Sequence, residues 1–580
     1  MSKVLTRLAT HNKKSMRYFI PDWDDRVDPE YDFLTDTHSN LHREDPNNDA
    51  YMWDLLGVEN VPFDGVLVSV ATAQENKKKY AAIKEKGIHQ FFGLPDSFPI
   101  MADCGAFSYI NEEVPPYQTS NILEIYSELG FNYGVSIDHL VVEAFKEKKD
   151  ERMKITFQNG LAAFDEWKKK YRDDFQLLVS VQGYEINDYL RMYHKFLEYG
   201  ITHMAIGGLV RSQTSEIVTL IDRIIADIKE TNKTPEYLHF FGVARPNLFF
   251  RLKELEDLGV NVAFDSASYL RRAWLSSASS QMNYITQEQR GYAAIRVPQD
   301  KSSKNQESEG QRKTLGLEQA CLRALRAYDR GEMILEDVMD VLETFIIVND
   351  GKLELLEYYR RTLRDQPWKK CPCPICQKNG IETIVFRGNN RNRRRGFHNT
   401  ISFYSLLNNE SQWDRTYLGK DIETLDGFSK NQSVLVITGC TKNKCEIEEY
   451  RTIAAKDLYT GTLFTKVREY CERMGYDYRI ISAKYALLKP DDQISTYEKV
   501  LRTRVDVDNI RPSVEEGLKP ILKNYDTILV IAGAQYRDVL SHIIDDRFVF
   551  LKAKGIGDMM HKVSIAIPQV NLTLDEFIEE

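Results

Sequence analysis

Residues 99–107 read PIMADCGAF, a short apolar run closed by an aspartate and a glycine turn. The same arrangement recurs down the first half of the chain. GVLVSVAT begins at Gly65, YGVSIDHL at Tyr133, FQLLVSVQG at Phe175, HMAIGGL at His203, YLHFFGVA at Tyr237 and VNVAFDSAS at Val260. Each holds four to six mostly apolar residues, the mark of a strand buried on both faces. Amphipathic stretches such as TSNILEIYSELG and NDYLRMYHKFLEYG lie between them, so strand and helix alternate at the size of a βαβ unit. Seven such strands predict an α/β fold, a (β/α)8 TIM barrel whose eighth strand this pattern leaves unplaced.

The polar residues fall at the carboxyl ends of those strands. Asp103 follows PIMA, Asp138 follows YGVSI, Gln182 follows LLVSV, Gly207 and Gly208 follow HMAI, and Asp265 follows VNVAF. In a barrel these ends converge on one face, which carries the catalytic loops. An aspartate at one strand end would serve as a helix cap. Recurrence on successive strands points instead to a shared pocket with three carboxylates and an amide.

The pattern changes after Leu275. KSSKNQESEGQRK (301–313) is polar and predicts a mobile loop, and GLEQACLRALRAYDRGE and VMDVLETFIIVN predict helices by their three- and four-residue apolar spacing. The first domain is therefore placed at 1–365, with an N-terminal extension and a helical insertion at about 276–365. Residues 366–412 form a cysteine-bearing subdomain that returns to the barrel, 413–432 a polar linker, and 433–580 a three-layer α/β domain. In that last domain SVLVITG, YRIISA, TILVIAG and RFVFLKA predict strands.

CPCPIC at 371–376 gathers three of the eight cysteines, and His398 follows. The N-terminus shows no signal-peptide pattern, and no apolar run reaches the ~18 residues of a membrane span. A cytoplasmic protein with no membrane partner is expected, and there clustered cysteines bind metal more often than they form disulfides. Cys371, Cys373, Cys376 and His398 supply three thiolates and an imidazole, a closed structural Zn2+ set. Net charge is −9, with no global signal for nucleic acid. Between Arg360 and His398, however, eleven Lys or Arg face only Asp365 and Glu382, a basic stripe suited to a phosphate backbone.

These motifs together resemble the tRNA-guanine transglycosylase superfamily over roughly 65–275 and 366–405. ADCGAFS (102–108), VQG (181–183), IGGL (206–209), FGVA (241–244), FDSAS (264–268) and CPCPIC followed by HN (398–399) stand in that family's order. Ala106 and Ser108 depart from its DSGGFQ motif, and Gln213 stands where queuosine-type enzymes carry a glutamate. The N-terminal stretch RYFIPDWDDRVDPEYDF, the helical insertion and the extra C-terminal domain look like the DNA-acting 7-deazaguanine transglycosylases. The C-terminal domain resembles a small α/β domain of unknown function from bacteria and phages. Its ITGCTKNKCE loop, with Gly439, Lys442 and Lys444, is a candidate phosphate site, and Cys440 with Cys445 a candidate metal or redox pair.

The resemblance implies exchange of guanine in DNA for preQ0, the 7-cyano member of the 7-deazaguanines. Asp265 would be the nucleophile that bonds to C1′, and Asp103 the proton shuttle. Asp138, Gln182 and the Gly208–Leu209 backbone would read the base edge, with Phe107 and Phe241 stacked on its faces. Arg271, Arg272, Arg393, Arg394 and Arg395 would grip the nucleic acid. DNA, guanine and preQ0 are the expected partners, together with an ATPase helper protein of the same modification system. A tRNA-acting enzyme and an inert nucleic-acid-binding subunit are the alternatives.

Overall fold

In a computed structural model, residues 16–275, 282–298, 309–349, 351–430, 432–448 and 450–567 are described. The chain divides into two compact units, before and after the Glu410–Ser411 junction.

The first unit is a closed parallel barrel of eight strands in sequence order. They are β1 Arg17–Pro21, β2 Gly65–Ser69, β3 Ile100–Asp103, β4 Tyr133–Val135, β5 Gln176–Val181, β6 His203–Ile206, β7 Tyr237–Phe240 and β8 Asn261–Asp265. All seven apolar runs are strands. The eighth is RYFIP, at the start of the stretch read as an N-terminal extension. It closes the barrel by pairing with both β2 and β8, Phe19 lying opposite Gly65 on one side and Asp265 on the other. Its own pattern is weak because arginine and proline bound only three apolar residues. The partners on both sides make it a strand. Inside the barrel Phe19, Leu67, Met101, Tyr133, Val135, Leu178, Ala205, Tyr237 and Ala263 form one buried apolar cluster.

The crossover helices show why these sequences alternate. In α1, Thr119–Leu129, the residues Ile122, Leu123, Tyr126 and Leu129 are buried at three- and four-residue spacing, and Gly130 at φ +78° ends the helix. In α2, Ile186–Glu198, the buried face is Tyr189, Leu190, Met192, Tyr193 and Phe196, and Asp188 caps the first turn through the Glu185 N–H. The insertion contains α4 Glu309–Asp329, α5 Leu335–Val348 and α6 Leu355–Asp365, following α3 Ser268–Leu275. Of the loop expected at 301–313, residues 301–308 lie outside the described residues, and 309–313 begin α4.

The helix α7, Gly388–Leu407, carries His398 and packs on α3, which follows β8. The two approach so closely at Gly396 that a Cβ there would sit 2.8 Å from the Leu270 carbonyl oxygen. Asn399 Nδ2 donates to the Tyr269 carbonyl at 3.2 Å, and Arg395 donates to that of Ala273 at 2.6 Å. The cysteine–histidine subdomain is thereby tied to the segment that follows Asp265.

The second unit is a six-stranded sheet built from β9 Lys420–Ile422, β10 Val434–Gly439, β11 Asp477–Ser482, β12 Ala486–Leu488, β13 Thr527–Ile531 and β14 Phe548–Leu551. The order is β9-β14-β13-β10-β11-β12, parallel except for β12. Four of these strands are the ones expected. β9 lies within 413–432, read as a linker, and pairs with β14, so that stretch contributes to the domain edge. It was missed because a three-residue edge strand, exposed at Lys420 and Asp421, has no apolar signature.

Candidate active site and metal centre

Asp103 ends β3 opposite Ser69, and Asp265 ends β8. Asp138 follows β4 and Gln182 follows β5. The structure brings the four together. Gln182 Nε2 donates to Asp138 Oδ2, and the Cys104 thiol donates to Asp138 Oδ1 at 3.3 Å. Tyr109 Oη stands 2.9 Å from Cys104 Sγ and 2.9 Å from the Asp138 carbonyl oxygen, to which it donates. Burial raises the Asp138 carboxyl above the usual carboxylate range, and its bonds from Gln182 and Cys104 oppose that rise. The Oδ1 oxygen of Asp265 accepts from His239 Nε2 at 3.0 Å and from the Gly242 N–H at 3.1 Å. Both bonds land on one oxygen, Oδ1.

Asp103 is strongly perturbed. Burial first, then the charges of Asp138 and Asp265, push its carboxyl up to about 7, against a smaller pull from the Gly105 N–H. The N–H lies 3.2 Å from Asp103 Oδ2. A carboxyl that responds to both of its counterparts shares their electrostatic environment, and one titrating near neutrality can give and take a proton.

Glycine is required at position 208, beside Gln182. Gly208 has φ +77°, and a Cβ on it would lie 2.8 Å from Tyr189 Oη and 3.0 Å from Gln182 Oε1. Gln182 Oε1 is buried and unpartnered among the described residues, an acceptor awaiting a donor. Leu209 is buried and starts a short 3-10 turn. Gln213 N-caps the following helix, Thr214–Thr231. Phe107 is 56% exposed, whereas Phe241 is half-buried with its ring 4.8 Å from that of His239.

Four participants escaped the sequence reading. Cys104 lies inside a quoted motif but looks like an apolar filler. Tyr109 acts from beyond it. His239 is wholly buried mid-strand, and a lone histidine in an apolar run gives no sign of the carboxylate beside it. Trp23, 49% exposed, follows β1 and carries the Arg271 guanidinium 3.9 Å over its ring. A small cavity of about 20 Å3 lined by Trp23, Asp25, Tyr51, Trp53, Leu270 and Phe397, among others, includes none of the three carboxylates.

The arginine expectation needs correction. Arg394 and Arg395 are buried, 2% and 0% exposed. Arg394 donates to the Asp28 carbonyl and to Asn390 Oδ1, and Arg395 to the carbonyls of Thr383, Val385 and Ala273. Neither can reach a phosphate. Arg387 and Arg391 are also internal, paired at 2.6–2.8 Å with Asp36, Glu318 and Glu382. The part of the basic stripe that lies on or next to α7 is an internal network, because α7 is buried on most of its faces, whereas Arg360, Arg364, Lys369, Lys370 and Lys378 are exposed. Arg393 is half-buried and donates to the Arg26 carbonyl. Arg271 and Arg272 are half-buried on α3, Arg272 lying 4.8 Å from the Tyr269 ring centroid.

Cys371, Cys373, Cys376 and His398 are buried, and their ligand atoms all lie within 4.8 Å of one another. His398 Nδ1 is 3.5, 3.4 and 3.4 Å from the three sulfurs. A tetrahedral ion with ligand distances of about 2.3 Å to sulfur and 2.0–2.1 Å to nitrogen requires N···S edges of about 3.5 Å. The set therefore fits a metal ion. Nε2 of His398 donates to the Ile285 carbonyl at 2.9 Å, which leaves Nδ1 free to ligate. The Tyr284 ring stacks on the imidazole at 3.9 Å.

Fold and site define a class, the parallel barrel that gathers an acidic, amide-bearing pocket at its strand ends and carries a Cys3His centre in the same unit. The chain is similar to a DNA-guanine transglycosylase from Salmonella montevideo, 33% identical over 419 residues, spanning 68% of this chain and 96% of that protein. It belongs to the DNA-guanine transglycosylases, the DNA-acting branch of the tRNA-guanine transglycosylase superfamily. Residues 434–562 match a family of unknown function, DUF6884. No helix among the described residues is long and apolar enough to cross a membrane.

Proposed function

We propose that this protein exchanges guanine in DNA for the 7-deazaguanine base preQ0 through a covalent aspartyl intermediate. The reading is supported by the carboxyl of Asp103, raised by burial and then by the charges of Asp138 and Asp265, three carboxylates at the carboxyl ends of separate strands. Asp265 Oδ2 attacks C1′ as the C1′–N9 bond breaks, and Asp103 gives its proton to the departing guanine. The incoming base then transfers its N9 proton to Asp103, its N9 bonds to C1′, and Asp265 leaves. Asp138 accepts from the N1–H and exocyclic amine of the base. Gln182, paired to Asp138 and with a vacant acceptor, contributes to the same edge. Phe107 and Phe241 flank the ring. A duplex guanine must be flipped to enter, at a cost of a few kcal/mol, and Trp23 with Arg271 offers a surface for the displaced strand.

The Cys3His set would hold a structural Zn2+, which supplies cross-linking rather than chemistry. Through α7 and its bonds to α3 it would order the segment after Asp265.

Incorporation of labelled preQ0 into purified plasmid against bulk tRNA tests the reading. Label in plasmid is expected, and label in tRNA alone would overturn it. Asp265→Asn is expected to abolish the denaturant-resistant protein–DNA adduct while leaving DNA affinity nearly unchanged. An adduct that survives would remove Asp265 from the role.

A further inference from the structure

The second unit carries a polar centre that the base-exchange chemistry does not use. Its strand β10 is central. The chain passes from β10 to β11 on one side, and β13 later returns to the other side of β10. In open α/β sheets ligands bind outside the strand carboxyl ends at such a reversal.

The residues there are unlike a packing turn. Tyr459 Oη, Ser482 Oγ and Tyr497 Oη form a buried triad with oxygen separations of 2.8–3.3 Å. Ser482 Oγ also accepts the N–H groups of Lys484 at 3.3 Å and Tyr485 at 3.1 Å. Tyr536 covers the end of β10, where a Cβ on Gly439 would meet its ring at 2.7 Å, and its hydroxyl donates to the Cys440 carbonyl at 2.9 Å.

Two cations lie near the ring of Tyr497, a member of this triad. Lys444, from the loop after β10, holds Nζ 4.2 Å from the Tyr497 ring centroid, and Lys484, from the loop after β11, holds it 5.7 Å from that centroid and 5.0 Å from that of Tyr485. Neither pairs with a carboxylate among the described residues. Lys444 Nζ reaches only the Lys442 carbonyl, at 3.4 Å. Two ammonium groups brought near one ring from different loops repel each other, and an anion that contacts both relieves that repulsion. Ammonium groups act as point charges for phosphate, and hydroxyls complete its hydrogen bonding. Cys440 is buried while Cys445 is exposed, so the two occupy different environments and do not suggest a shared metal.

We propose that the β10–β11 carboxyl-end crevice of the C-terminal domain binds a phosphate-bearing small ligand, either a nucleoside monophosphate or free phosphate, between Lys444 and Lys484. This inference is independent of the base-exchange reading.

Isothermal titration of the full chain with inorganic phosphate, with each of the four nucleoside monophosphates, and with a short single-stranded DNA tests it. Saturable one-site binding is expected for phosphate or a monophosphate. Equal affinity for both identifies free phosphate, and a tighter monophosphate identifies a nucleotide. K444A/K484A is expected to weaken that binding at least tenfold with unchanged Tm and unchanged plasmid base exchange, and K484E alone to weaken it further than K484A. No binding at millimolar concentration, binding unchanged by these substitutions, or loss confined to DNA affinity would each overturn the proposal.

Discussion

The proton on Asp103 offers the sharpest test of the site. Its carboxyl stands at about 7 rather than 3.8, with burial the largest cause and the charges of Asp138 and Asp265 next. That displacement corresponds to about 4 kcal/mol favouring the protonated form in the folded protein. The folded state binds this proton more tightly than the unfolded chain. Stability from this group is therefore fully present below 3.8 and lost as pH rises through about 7. For catalysis, the acid form is about nine-tenths populated at pH 6 and about one-tenth at pH 8. Single-turnover release of labelled guanine, limited by protonation of the leaving base, is expected to fall about tenfold between those pH values. An ordinary aspartate would already be almost wholly ionised at pH 6 and would give a continuous tenfold decline per pH unit. Replacing Asp138 by Asn removes the second cause while keeping burial, so the midpoint is expected to move down without reaching the ordinary range. A wild-type profile with no inflection between pH 6 and 8, or a midpoint unmoved in Asp138→Asn, would refute the assignment of Asp103 as an acid tuned by its neighbours.

His239→Ala removes the side-chain donor to Asp265 Oδ1. A hydrogen bond to a charged group is worth about 1.5–3 kcal/mol, so adduct formation is expected to slow about ten- to a hundredfold while DNA affinity holds, read by rapid-quench and gel-shift assays. Cys376→Ser or chelation is expected to reduce bound zinc from about one per chain and to lower Tm by at least about 5 °C, measured by elemental analysis and calorimetry. Arg395→Ala, which orphans three buried carbonyls, is expected to cost roughly 2–4 kcal/mol in denaturant unfolding. Arg271→Ala is expected to leave stability unchanged and to reduce the salt slope of DNA binding by about 1.

Much of this was legible in the chain because it depends on local chemistry. Buried strands need apolar runs, so seven of the eight barrel strands stand out, with Asp103 and Asp265 ending their strands. CPCPIC and His398 also stand out, because few other roles account for three cysteines and a histidine at that spacing. What tertiary structure decided has no local signal. RYFIP became the closing strand only because β2 and β8 offer open edges on both sides. Arg394 and Arg395 turned inward because carbonyls from distant segments were there to accept them, and charge density along a sequence carries no information about which way a side chain faces. His239 acquired a role only when β7 was set beside β8. Composition and periodicity report what each segment must bury or expose. Which groups meet is decided by closing the barrel, since residues hundreds of positions apart become neighbours only when the hydrogen bonds of the first and last strands are made to each other.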